Sequence, residues 1–217
     1  IQDQLLNDLK IPKGKILLLT RSDLALSIDV KKNKEKSITD VLKVLINEMD
    51  GNKIDYWMDF SALLALHRDI EFSDFSDVDI AVNSLENANK IFELMSLKKE
   101  NYNISKKLID EKLNYANEGE IKQIVIQSNV NLEDEEPAII DIHVKFFHEN
   151  QYKCPVGKFT LFTPKSCLDS YEVIAYKDLS LKIPLNSLMY LELIYGKHWK
   201  TPVENWEAGD YGNIVDE

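Results

Sequence analysis

The chain has 217 residues, 44% of them hydrophobic and 29% charged, with 26 Lys plus Arg against 37 Asp plus Glu for a formal charge of −11. That size and composition suit a folded domain with a sizeable core and exclude a largely disordered chain, while the acidic balance argues against a nucleic-acid partner held by clustered Lys and Arg. No run reaches the roughly 18 apolar residues a bilayer demands, Ile1 to Lys10 lacks the blocks of a signal peptide, and Cys154 and Cys167 show no C-x-x-C spacing, so a cytoplasmic protein with free thiols is expected, at most peripheral at the inner membrane face.

In chain order, Lys15 to Thr20 (KILLLT), behind Pro12 and Gly14, reads as a buried strand. Lys31 to Lys36 (KKNKEK) reads as a solvated, charged loop, and Ile38 to Met49 as a helix with Ile38, Val41, Leu42, Leu45 and Ile46 on one face, stopped by Gly51. Ile54 to Met58 is a predicted strand, Ala62 to His67 a short helix, Val78 to Val82 a strand, and Leu85 to Leu97 a helix carrying Ile91, Leu94 and Met95. Two more strands follow, Ile121 to Ile126 and Ala138 to Phe147, joined through an acidic loop at Glu133 to Pro137. Pro184, as a first-turn residue, opens a last helix that ends at Tyr195 before Gly196. The expectation is an α/β, or α+β, domain: a mixed sheet with flanking helices and a C-terminal helical cap.

The chemistry concentrates in three carboxylates. Asp77 and Asp79 stand two apart, so a strand there projects both from one face. Two carboxylates so placed repel unless a cation lies between them, and Mg²⁺ favours a few carboxylates together with substrate phosphates. Asp141 is the third candidate, because it interrupts an apolar strand (AIIDIHVKFF), where an unpaired charge is costly. His143 shares its strand face, whereas His67, His148 and His198 fit no zinc spacing. Upstream, Asp59-Phe60-Ser61-Ala62 forms a strand-to-helix turn able to bring backbone N–H groups and a hydroxyl to a phosphate.

The stretch WMDFSALLALHRDIEFSDFSDVDIAV resembles the core motif of the LicD/fukutin family, a branch of the nucleotidyltransferase superfamily, whose pattern is roughly Asp-x-Gly-Thr-Leu-Leu-Gly, then Arg, then Asp-x-Asp-Ile. A second block, YLELIYGKHWKTP, is similar to that family's Tyr-Gly-x-x-Trp-x-x-Pro signature through Tyr195, Gly196, Trp199 and Pro202. Together the blocks and Asp141 span roughly Ile54 to Trp206, within a domain placed at 51–217 behind a βα extension at 1–50. That extension faintly resembles the opening of aminoglycoside 3-N-acetyltransferases, and its expected role is packing against the core.

The resemblance implies a nucleotidyltransferase-like fold and a metal-dependent transfer of phosphocholine or a polyol phosphate from a CDP-activated donor onto a glycan. Asp77, Asp79 and Asp141 would be the catalytic and metal-binding residues, with Mg²⁺ as the ion and Mn²⁺ able to replace it. Substrate contacts would come from Asp59, Ser61, Arg68, His143, Tyr195 and Trp199, Arg68 through its planar donor fork. Two other readings stand beside this one. The same site would support nucleotidyl transfer from a nucleoside triphosphate to a small acceptor. The chain also has Ser61-Ala62 and Ala65 where the family has Gly-Thr and Gly, which points to a degenerate nucleotide- or glycan-binding domain.

Overall fold

The computed structural model describes residues 21–129, 136–203 and 206–215; the expected strand at Lys15 to Thr20 and most of the acidic loop at Glu133 to Pro137 lie outside them. The fold is mixed α/β. Its first element, α1, runs over Arg21–Gly51. The loop expected at Lys31 to Lys36 is instead helical, because that stretch has neither Gly nor Pro and Lys and Glu are good helix formers. Tertiary contact secures it: buried Glu35 accepts from the Ser73 backbone N–H at 2.8 Å and the Tyr176 hydroxyl at 2.7 Å, and pairs with Lys177 at 2.7 Å. Further along α1, Ile38, Val41, Leu42, Leu45 and Ile46 are all buried, as their spacing predicts. Each such burial is worth roughly 1.5–3 kcal/mol.

A five-stranded sheet organises the site. Its strands are β1 (Tyr56–Met58), β2 (Val78–Val82), β3 (Tyr102–Leu108), β4 (Ile121–Ser128) and β5 (Ile139–Val144), in the order β1-β2-β5-β4-β3. Only β2 and β5 run parallel, with Asp79 opposite Asp141 and Ala81 opposite His143. The helices α2 (Phe60–Arg68) and α3 (Leu85–Ser96) flank this sheet, Ser84 capping α3 through the Asn87 N–H.

A second sheet holds β6 (Phe146–His148), β7 (Gln151–Val156), β8 (Phe159–Pro164) and a short β11 (Ile214–Val215). After the single turn α4 (Lys165–Leu168) comes a hairpin of β9 (Tyr171–Tyr176) and β10 (Leu179–Pro184). Pro184 therefore ends a strand, paired with Tyr171, and the last helix α5 starts later, at Ser187–Tyr195. Pairing with β9 holds Leu179 to Pro184 extended, and the Leu185 N–H continues it on the Ser170 carbonyl at 2.9 Å, so the helix starts only after that residue. Beyond α5 the chain returns to β8 through β11. Gly212 makes that return possible: its N–H donates to the Ile194 carbonyl at 2.8 Å, and a Cβ there would lie 2.8 Å from the Leu193 carbonyl oxygen.

Cys154 and Cys167 are buried and free. Among the described residues no helix is long and apolar enough to cross a membrane.

Candidate active site

The parallel β2–β5 pair sets the geometry. Register partners in adjacent parallel strands share a face about 4.8 Å apart, so Asp79 and Asp141 stand side by side, and His143 follows two residues on. Ligand atoms of these three buried side chains all lie within 4.8 Å of one another. Asp77, just ahead of β2, lines the same cavity half-buried, with Ser76 Oγ donating to it at 3.0 Å. The cavity measures about 700 Å³.

The turn into α2 closes over the carboxylates. The Asp59 N–H donates to the Asp79 carbonyl at 3.0 Å, and the backbone then bends through Phe60 at φ 33°, a left-handed value that strains a residue with a Cβ. Packing holds the strain in place: the Phe60 ring lies 5.1 Å from His143 and 5.5 Å from Tyr211, with Lys145 Nζ 4.2 Å above it. The bend turns Ser61 inward, where its N–H and hydroxyl donate to Asp79 Oδ2 at 3.0 and 2.6 Å. Ser61 thus clamps a catalytic candidate from the side of the cavity it was expected to line.

Beneath this turn Asp59 is fully buried and does not line the cavity, contrary to a direct substrate contact. Its carboxylate pairs with the equally buried Lys145 at 2.7 Å and accepts from the Tyr190 hydroxyl at 2.8 Å, which leaves none of it for capping α2. Arg68, expected at phosphate, lines the cavity but gives its guanidinium to the carbonyls of Trp199 and Thr201. Tyr195 and Trp199 also line it, in an aromatic wall where Tyr195, Trp206 and Tyr211 stand 5.1 to 5.8 Å apart. Trp57 lies apart from this cavity. Sequence reasoning missed Gln123, which donates to Asp141 Oδ2, and Lys107 and Tyr211 on the cavity wall. For Gln123 the alternation of β4 was the available signal, since a polar residue directly before buried Ile124 and Ile126 marks the opposite face.

Electrostatics mark the cluster as a cation site. Burial pushes the Asp141 carboxyl up to about 6, and the charges of Asp79 and Asp77 add to that. Asp77 is raised by burial and then by Asp79. Burial opposes charge on both Asp79 and His143, but their mutual hydrogen bond at 2.9 Å, joined by the Ser61 donors, lowers Asp79, and Asp79 together with Cys154 raises His143 to about 10. Asp141 Oδ1 is buried without a hydrogen-bond partner. An orphaned oxygen on a carboxyl that burial and two neighbouring acids hold back from ionising fits a divalent ion with oxygen ligands, Mg²⁺ or Mn²⁺, while the protonated His143 anchors Asp79.

A pH dependence follows. In the metal-free fold Asp141 keeps its proton up to about pH 6, against an ordinary 3.8, so below that pH an ion must displace the proton. Apparent Mn²⁺ affinity, measured by calorimetry, is expected to fall about tenfold per pH unit as pH drops from 6 to 5, and to level off above 7. Affinity that is flat from pH 5 to 7 would remove Asp141 from the ligand set.

No known protein family matches this sequence, and no curated protein does. Among solved structures, the lincosamide antibiotic adenylyltransferase LnuA with lincomycin bound overlaps at a TM-score of 0.42 and 14% identity, over 76% of this chain and 92% of that one. The antibiotic-resistance factor ANT(2'')-Ia in solution overlaps at 0.43 and 10% identity, over 83% of this chain and 80% of that one. Its complex with adenylyl-2''-tobramycin overlaps at 0.42 and 10% identity, over 78% and 80%. The roles of the residues here rest on the site's own geometry.

Proposed function

We propose that the chain is a metal-dependent enzyme that transfers a phosphorus-containing group from a nucleotide donor to an acceptor hydroxyl, with nucleotidyl transfer from a nucleoside triphosphate as the leading form. The observation that carries it is the pairing of Asp79 with Asp141 across parallel strands in a cavity that Asp77 also lines. In this reading Asp77, Asp79 and Asp141 would hold the ion, the free Oδ1 of Asp141 completing the ligand set. A bound divalent ion supplies charge neutralisation for the donor's phosphates and the leaving oxygen. The acceptor hydroxyl would release its proton to solvent water. The hydroxyl oxygen forms the new P–O bond as the bond to the leaving phosphate breaks. Ser61 and His143 fix the Asp79 carboxylate, and the aromatic wall of Tyr195, Trp206 and Tyr211 offers a flat face to a base or sugar ring.

A specific observation also favours a second reading, transfer of a phospho-alcohol from a CDP-activated donor onto a glycan. Tyr195, Trp199 and Pro202, the residues of the C-terminal motif, all line the same cavity. Product analysis separates the two: incubation with Mg²⁺, a sugar panel and either nucleoside triphosphates or CDP-alcohols, read by mass spectrometry. A nucleotidylated sugar with pyrophosphate released supports the first reading, and CMP released with a phospho-alcohol on the sugar supports the second. Nucleotide binding with no product from any donor would leave a binding domain and overturn both.

A further inference from the structure

We propose that Lys107 binds the polyphosphate of the nucleotide donor; the proposal rests on the reading of the cavity as a nucleotide site. Three carboxylates converge there, and a polyphosphate entering beside them meets repulsion that one divalent ion offsets only in part. A side-chain cation facing the phosphates would offset the remainder. Arg68 lines the cavity, but its Nε and Nη2 donate to the carbonyls of Trp199 and Thr201, which fixes it against the C-terminal segment and leaves only Nη1 for a ligand.

Lys107 fits that part on two counts. It lines the cavity from β3, the edge strand, and is exposed, so its ammonium can reach a ligand without burial. Its cross-strand partner is Gln123, the residue that donates to Asp141, which places Lys107 on the site's face of the sheet. Neighbouring lysines are otherwise occupied: Lys106 Nζ lies 4.8 Å above the Phe92 ring, and Lys122 pairs with Asp110 at 2.7 Å. Among the described residues the Lys107 side chain makes no ion pair or hydrogen bond, while its charge acts on Asp141 through space. A flexible ammonium suits a phosphate chain whose position changes as one group is transferred.

The test is calorimetric titration, with Mg²⁺ present, of the mono-, di- and triphosphates of adenosine and cytidine on the wild type, Lys107→Ala and Lys107→Arg. Lys107→Ala is expected to weaken triphosphate binding at least about tenfold, the diphosphate less and the monophosphate least, while Lys107→Arg restores most of the loss. Thermal melting should be unchanged, because the side chain is exposed. Triphosphate binding equal to wild type in Lys107→Ala, or an equal loss for all three phosphates, would overturn the proposal alone. A wild type that binds no nucleotide would end this proposal and the reading beneath it together.

Discussion

Asp141→Asn is expected to abolish turnover while making the metal-free protein more stable. Losing the ion's charge neutralisation removes several kcal/mol of transition-state stabilisation, which is roughly a hundred- to a thousandfold in rate. The opposite effect on stability follows from the same residue's environment. Burial and the neighbouring carboxylates raise Asp141 to about 6 in the fold against an ordinary 3.8, so ionising it there costs more than in the unfolded chain. That penalty is absent below about pH 4, grows as pH climbs to 6 and is fully present at pH 7.5. One pKa unit is worth about 1.4 kcal/mol, so the neutral side chain should add roughly 3 kcal/mol at pH 7.5. Asn keeps an oxygen for Gln123 and gains an amide that can donate toward Asp79. Melting in chelator at pH 5 and 7.5 checks the sign: the gain should shrink at the lower pH. A variant that melts below wild type at pH 7.5 would show that Asp141 is a structural partner rather than a carboxylate held in readiness for a cation.

Lys145→Met is expected to destabilise the fold by about 3–5 kcal/mol, the usual cost of leaving a buried charge alone. Lys145 and Asp59 are 1% and 0% exposed, and with Tyr190 they tie the end of β5, the start of α2 and the middle of α5 into one network. Lys145 also covers the Phe60 ring, so its loss loosens the strained turn that aims Ser61 at Asp79. Removing the second charge separates pairing from packing. The double variant Asp59→Asn with Lys145→Met no longer buries an unpaired carboxylate, and its urea midpoint should recover more than half of the loss. Equal midpoints for the single and double variants would mean that the lysine stem's packing, and not the charge pair, is what the fold needs.

The parts of the site legible in the sequence are those in which a polar residue interrupts an apolar run. Asp79 within VDIAV and Asp141 within AIIDIHV stood out because strand alternation makes a buried acid anomalous, and both lie where their strands predict. Tyr190, in the C-terminal motif, is explained only by the fold, since its buried hydroxyl donates to Asp59 and does not line the cavity. Arg68 and Asp59 show what residue type leaves out. An Arg beside a cleft and an Asp at a strand-to-helix turn both read as substrate contacts, but each also engages a partner far along the chain, the Trp199 carbonyl and Lys145, that no local pattern announces.

Whole hairpins escaped notice for a local reason. The turns at Glu149-Asn150 and Lys177-Asp178 place Glu149, Asn150 and Lys177 at positive φ without the Asn-Gly or Asp-Gly pair that usually announces such a turn. The charged stretch of α1 was hidden differently. Its helicity depends on Glu35 finding Ser73, Tyr176 and Lys177, contacts no periodicity encodes.

The central claim is that the acidic cluster recruits a nucleotide through a divalent ion. Calorimetric titration of nucleoside triphosphate and CDP-linked donors, with Mg²⁺ and then with chelator, on the wild type and on Asp77→Ala tests it most directly. Asp77 is half-buried at the cavity and ahead of β2, so its removal leaves the sheet intact. The account predicts nucleotide binding to the wild type that needs Mg²⁺ and is lost in Asp77→Ala. Equal binding to both proteins in chelator would contradict it.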